Sequence, residues 1–100
     1  MIRHTVLMKF RPEVTQASID EVFKALADLK TKIPGLISFH GGPYSSPEGL
    51  NQGFTHGFSM DFSSEKERDA YLPHQEHDKV KDMIIPLLAD NGVIAFDFSI

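Results

Sequence analysis

The segment from Phe54 to Phe62 alternates strictly between large side chains and small or polar ones. Successive side chains of a β-strand point to opposite faces, so this period of two predicts a strand. The large side chains share one face: Phe54, His56, Phe58, Met60 and Phe62. The other face carries Thr55, Gly57, Ser59 and Asp61. The chain is therefore expected to contain a sheet in which one strand face holds three phenylalanines.

Three further segments predict strands. Arg3 to Phe10 and Val93 to Ile100 alternate in the same way, and both are rich in apolar residues. Leu36 to His40 is a shorter run that can continue past Gly41-Gly42. Asn91-Gly92 predicts a turn ahead of the last strand, because this pair is a common turn former.

Two regions between the strands predict helices. Apolar residues recur every three or four positions in the first, at Ile19, Val22, Phe23, Leu26, Leu29 and Ile33. This helix ends at Pro34-Gly35. The second region begins after Ser63 or Ser64, is interrupted at Pro73 and restarts near His74, because proline cannot continue a helix ladder.

The resulting order of elements is β-α-β-β-α-β, with the second helix broken. This order predicts the ferredoxin-like split βαβ arrangement, an α+β fold. In that fold a four-stranded antiparallel sheet carries helices on one face. A chain of 100 residues is expected to form one such domain.

The predicted sheet has more apolar surface than its helices can cover. One face of the last strand is apolar, at Ile94, Phe96, Phe98 and Ile100. Its other face is small or apolar as well, and the third strand adds its phenylalanines. Large exposed apolar patches usually mark an interface. We therefore expect a homodimer in which two sheets pack face to face.

Composition excludes several classes of function. The net charge is −4, from 10 basic and 14 acidic residues, which argues against nucleic-acid binding. Without cysteine there is no disulfide, zinc–thiolate site or cysteine nucleophile, and a reducing cytoplasm fits. The N-terminal segment lacks the features of a signal peptide, and no stretch approaches the ~18 apolar residues of a membrane span. We expect a soluble cytoplasmic protein.

Four segments together resemble the stress-responsive dimeric α/β-barrel (Dabb) family. They are RHTVLMKF in the first strand, FTHGFSMDF in the third, YLPHQEH at the helix break and FDF in the closing strand. The resemblance covers nearly the whole chain. It implies the ferredoxin-like unit described above, with two chains pairing sheet to sheet to form a barrel.

The resemblance also implies a set of site residues. In one plant branch of the family, olivetolic acid cyclase, a Tyr and a His from the helix break close a polyketide ring by aldol condensation. The matching positions are Tyr71 and His77. The strand histidines of the family match His4 and His56, and its closing-strand aspartate matches Asp97. The family often has His-Pro-x-His at the break, whereas here the proline precedes the first histidine.

His77 lies on the apolar stripe of its helix, three residues before Val80 and seven before Ile84. A partly buried imidazole needs a hydrogen-bond partner, and loss of water lowers its pKa. We expect Asp97 to be this partner, because it shares a strand face with Val93. The pair would form the base and orienting carboxylate of a proton-transfer site. The alternative is a structural hydrogen bond between helix and sheet.

Other residues have weaker claims on the site. Tyr71 is a candidate donor to a carbonyl or enolate oxygen, or it packs with a satisfied hydroxyl. His4 and His56 are expected to line the cavity of His77, or to be satisfied core histidines. The candidates for ligand binding are His4, His56, Val6, Met8 and Phe23. His74 and His77 are spaced for a metal, but no third ligand is indicated, so no metal site is expected.

Two functions fit these features. The first is a dimeric, stress-related protein that binds a small apolar or carboxylate-bearing ligand between helices and sheet. The second is an enzyme, without a cofactor, for a polyketide-like or other carbonyl compound. In the second, Tyr71 polarises the carbonyl, His77 moves the proton and Asp97 orients His77. An open apolar cleft in which Tyr71 and His77 converge favours the enzyme, and a filled space favours the first function.

Overall fold

The computed structural model describes residues 1–100 and contains four strands and three α-helices. Their bounds are β1 Ile2–Phe10, α1 Gln16–Asp28, β2 Leu36–Pro43, β3 His56–Phe62, α2 Glu65–Tyr71, α3 Gln75–Ile84 and β4 Leu88–Ser99. The strands form one antiparallel sheet in the order β2-β3-β1-β4. The predicted ferredoxin-like α+β fold is confirmed. No helix is long and apolar enough to cross a membrane.

Strand β1 is central and pairs with a strand on each side. His4 of β1 stands opposite Met60 of β3 and opposite Asp97 of β4. Directly opposed residues of an antiparallel pair point to the same face, so all three lie on the side that the helices cover. This register places a histidine of the first strand beside an aspartate of the last.

The core forms between this covered face and the apolar stripe of α1. Val22 and Leu26 of the stripe are fully buried, and so are Met8 and Met60 of the sheet. Burial of each such side chain contributes roughly 1.5–3 kcal/mol to the hydrophobic stabilisation. The sheet and α1 therefore form most of the hydrophobic core, to which Tyr71 of α2 and Val80 of α3 also belong.

The third strand does not contribute to the exposed apolar surface as expected. Its large side chains point toward the helices, and Phe58 and Phe62 are 7% and 0% exposed. The opposite face of the sheet is instead apolar along its β1–β4 edge. The exposed residues there, which we call the open sheet face, are Leu7, Ile94, Phe96, Phe98 and Ile100.

The last strand is longer than predicted. It begins at Leu88, so Asn91-Gly92 lies inside the strand and the predicted turn is wrong. The pairing of β1 with β4 shifts register between Met8 and Phe10, and Asn91 has a positive φ of 54°. Asn tolerates the left-handed conformation better than most residues, so it can form an irregularity without ending the strand.

The second helical region is two helices, as Pro73 predicted. Ser64 caps α2, where its hydroxyl oxygen accepts from the Glu67 N–H at 3.3 Å. His74 caps α3, where its Nδ1 accepts from the Glu76 N–H at 3.0 Å. A ring nitrogen that accepts carries no proton, so His74 serves here as the N-cap of α3 through an unprotonated Nδ1.

Replacing Phe62 by alanine should lower the free energy of unfolding by about 3–5 kcal/mol, because a large ring is removed from a fully buried position. The measurement is chemical denaturation followed by circular dichroism. Ile37→Ala is the control, because Ile37 is 42% exposed and should cost much less. Equal losses in the two variants would contradict the described orientation of β3.

Candidate functional site

A cavity of about 300 Å³ lies between α3 and the covered face of the sheet. Twelve of its fifteen lining residues are hydrophobic, so most of its wall can contact only apolar groups. Four side chains bring polar atoms to it: His4, Tyr71, His77 and Lys81. Residues of all three α-helices and of all the strands except β2 contribute, so the cavity depends on most of the fold.

The structure brings together five of the eight residues that the sequence singled out. The cavity is lined by His4, Val6, Met8, Tyr71 and His77. Asp97 does not line the cavity, but it contacts the side chain of His4, which does.

His56 and Phe23 lie elsewhere. They border a separate depression of about 240 Å³ beside α1 and the end of β2. His56 packs between the rings of Phe10 and Phe23, at centroid distances of 5.2 and 5.7 Å. His56 is at the start of β3 and does not line the cavity of His77, so the expectation that the two histidines share that cavity is wrong. Burial lowers the pKa of His56.

The break at Pro73 orients His77. In a continuous helix the Leu72 carbonyl would accept from the N–H four residues later, that of Glu76. That N–H is held by His74 instead, and the Leu72 oxygen lies 2.9 Å from Nδ1 of His77. A carbonyl can only accept, so Nδ1 of His77 carries the proton and donates.

His77 is therefore a neutral base with a free nitrogen. Burial lowers its pKa, against a smaller raising effect of the bond to Leu72. At neutral pH the proton is on Nδ1, and Nε2 keeps its lone pair. The charged or titratable neighbours that influence it are Lys81, His4 and Asp78.

Tyr71 stands directly against His77. The two rings stack with centroids 4.1 Å apart and an interplanar angle of 28°. The side chain of Tyr71 is buried, yet its hydroxyl has no protein partner, and no fully enclosed side-chain polar atom lacks one. The hydroxyl is therefore not fully enclosed, and Tyr71 is one of the residues that line the cavity. Burial raises the pKa of Tyr71, so the phenol stays protonated and can donate.

Asp97 is held away from His77, and the predicted pairing of these two residues is wrong. Its Oδ1 lies 2.6 Å from Nδ1 of His4, and its Oδ2 accepts from Nη1 of Arg68 at 2.8 Å. The physical reason is the strand register, which places Asp97 opposite His4. His77 has its own partner in the Leu72 carbonyl.

The contact with Asp97 fixes the orientation of a second imidazole, that of His4. A carboxylate accepts, so Nδ1 of His4 donates to it, and Nε2 has no partner within the protein. The ring of His4 packs edge-on against Tyr71, with centroids 6.0 Å apart. Three groups able to donate or accept, on His4, Tyr71 and His77, thus border one apolar cavity.

Two residues that contribute to the site were not identified from the sequence. Arg68 links α2 to Asp97, and Lys81 is the charged residue of the cavity wall. Lys81 was detectable, because it lies four residues after His77 and so on the same helix face. No pattern in the sequence around Arg68 indicates its role, because its partner Asp97 lies on β4, far away in the chain. No three His, Asp or Glu side chains converge in a way that could hold a metal ion.

The sequence profile described as Stress responsive A/B Barrel Domain matches residues 2–100. The chain belongs to this family. The family resemblance noted from the four sequence segments is thereby confirmed. The match spans nearly the whole chain, so it includes every residue that borders the cavity.

Several known proteins are similar to this chain over most of its length. A stress-response A/B barrel domain-containing protein of Arabidopsis thaliana, HS1, is 34% identical over 76% of this chain and 70% of its own length. Olivetolic acid cyclase of Cannabis sativa is 28% identical over 76% of this chain and 75% of its own. A dimeric ferredoxin-like protein of unknown function from Jannaschia sp. CCS1 superposes with a TM-score of 0.88. Its identity is 25%, and the match covers 99% of this chain and 98% of that one.

Asp97→Asn should change the ring-nitrogen chemical shifts of His4 and leave those of His77 in place, because only His4 contacts the carboxylate. We expect a loss of about 1.5–3 kcal/mol in the free energy of unfolding, the usual range for a hydrogen bond to a charged group. Imidazole ¹⁵N spectroscopy and denaturation measure the two effects. Asp90→Asn is the control, because Asp90 is an exposed residue of the same strand. A response at His77 instead of His4 would contradict the described contact.

Proposed function

We propose that the chain binds a small, largely apolar organic molecule with a carbonyl group in the cavity between α3 and the sheet. The proposal rests on the Tyr71 hydroxyl, a protonated donor without a protein partner that borders an apolar space. The volume of about 300 Å³ is at the lower end of the range for small-molecule sites. A ligand carbonyl would accept from Tyr71 while its apolar part fills the remaining space.

A second candidate function is proton transfer on that ligand, and the state of His77 favours it. Its Nε2 lone pair would take a proton from the carbon beside the carbonyl. The C–H electron pair would form the enolate double bond, and the carbonyl π pair would move to the oxygen, which Tyr71 stabilises by donation. The cyclase named among the relatives supports this alternative. No cofactor is required for such a step.

The contacts of the two histidines support an ordered site over a loosely packed one. Each imidazole has its Nδ1 tied to an acceptor, Leu72 for His77 and Asp97 for His4. Fixed orientation of a base is what proton transfer needs, because a misplaced base loses most of its effect. Asp97 thus has a positioning role on His4, held in turn by Arg68.

The ketone 4-phenylbutan-2-one separates the two functions. We expect the protein to bind it, and Tyr71→Phe to weaken binding by up to about tenfold, since a neutral hydrogen bond is worth roughly 0.5–1.5 kcal/mol. If His77 acts as a base, the protein should also speed exchange of the ketone's α-hydrogens for deuterium. His77→Gln should then lower that rate by about 10²–10⁴. NMR in D₂O measures both.

The control variant is His40→Gln, because His40 is exposed and does not border the cavity. Binding without any exchange would support ligand binding alone. Failure of the wild type to bind this ketone and related aromatic carbonyl compounds would count against both functions.

We further propose that the chain is a cytoplasmic, single-domain homodimer joined through the open sheet face. Phe96 is 68% exposed on that face, and its apolar neighbours continue along β1 and β4. Such a continuous apolar surface is unusual for a monomer. The dimeric state of the Jannaschia relative, at 25% identity, also supports pairing.

Phe96→Glu should convert the dimer to a monomer, because burying a carboxylate in an apolar interface without a partner is costly. Light scattering at micromolar concentration should give twice the chain mass of 11.2 kDa for the wild type and that mass for the variant. Met83→Glu is the control, since Met83 is a 39% exposed residue of α3 on the helix side. A monomeric wild type would remove this proposal.

A further inference from the structure

The cavity wall contains one residue with a full charge, Lys81. No aspartate or glutamate lines the cavity. The nearest carboxylate behind the wall, that of Asp97, already has Arg68 as its cationic partner. The one full charge among the lining residues is therefore positive, although the chain as a whole carries −4.

Lys81 is placed to reach a bound molecule. It lies one helical turn after His77, so both side chains project from the cavity-facing side of α3. Its positive charge is one of the influences that lower the pKa of His77, after burial. The side chain lines the cavity and is also 44% exposed, so Lys81 lies where the cavity meets solvent.

The present partner of Lys81 holds it weakly. Nζ lies 3.1 Å from Oδ1 of Asp78, one turn back on the same helix, and the Asp78 side chain is 54% exposed. Exposed pairs of this kind contribute little to stability. A ligand anion in the less hydrated cavity can therefore compete with Asp78 for the ammonium group at small cost.

We propose that Lys81 makes the cavity selective for an apolar carboxylate, with the ligand's carboxylate at the mouth and its apolar part inside. This deepens the proposed ligand-binding function and depends on it. Long-range attraction cannot produce such a preference, because the net charge of the chain repels anions. The preference has to come from a local contact, and Lys81 is the one cation on the wall.

Two probes with the same skeleton test this proposal, 4-phenylbutanoate and its neutral amide, 4-phenylbutanamide. Lys81→Gln should weaken binding of the acid by about fivefold, the upper range for a partly exposed ion pair, and leave the amide within twofold. The effect on the acid should shrink as salt is added, because the pair lies near solvent. Titration calorimetry or NMR at 20 and 200 mM salt gives the affinities.

Lys79→Gln is the matched control. Lys79 is also a lysine of α3, and it pairs with Glu76 at 3.2 Å, also three residues back. It does not line the cavity, so its loss removes the same net charge from the same helix without touching the site. Both probes should bind this variant as they bind the wild type.

The outcomes separate the two proposals. If the amide binds but Lys81→Gln changes acid and amide equally, or Lys79→Gln has the same effect, the role of Lys81 is overturned and ligand binding stands. If neither probe binds the wild type, the ligand-binding function itself fails for this class of compound, and the role of Lys81 fails with it.

A measurement without any ligand checks the placement of Lys81. Removal of its charge by Lys81→Gln should raise the pKa of His77, because a nearby cation disfavours the protonated imidazole. Lys79→Gln should raise it less. NMR titration of the His77 ring gives both values, and an unchanged midpoint in Lys81→Gln would show that Lys81 does not reach the site.

Discussion

The pairing of β1 with a strand on each side determines where the other parts of the molecule lie. Its covered face supplies Val6 and Met8 to the core and His4 to the cavity. Its open face supplies Leu7 to the exposed apolar surface. Because side chains alternate strictly along a strand, a single register serves both faces. A shift by one residue would exchange these two sets and destroy both the core and the cavity.

The helix break at Pro73 adds the second half of the site. Proline ends α2 and leaves the Leu72 carbonyl without its usual helical partner. His74 takes the Glu76 N–H, so the free carbonyl can orient His77. The position of the proline therefore decides which nitrogen of His77 is free to face a ligand. The interruption of the helix thus sets the orientation of a side chain that lines the cavity.

Sequence patterns predicted the elements well, because periods of two and of three to four follow directly from backbone geometry. They also predicted which faces His4, His77 and Asp97 lie on. They did not predict which residues meet, since that depends on the register between β1 and β4. The partner of Asp97 was wrong for this reason. The Asn91-Gly92 turn was wrong because the same residues can form an irregularity within a strand.

The partial burial of His77 lowers the free energy of unfolding when the pH is acidic. Its pKa is lowered in the folded chain, so between the unfolded value of about 6.5 and the lower folded value the unfolded chain binds more protons. Stability contributed by the neutral imidazole is present above that window and is lost as the pH falls through it. An apolar residue at this position would avoid that loss and the desolvation of a polar ring. A half-buried base with a free lone pair beside an unpartnered Tyr71 hydroxyl is therefore better explained by a ligand than by packing alone.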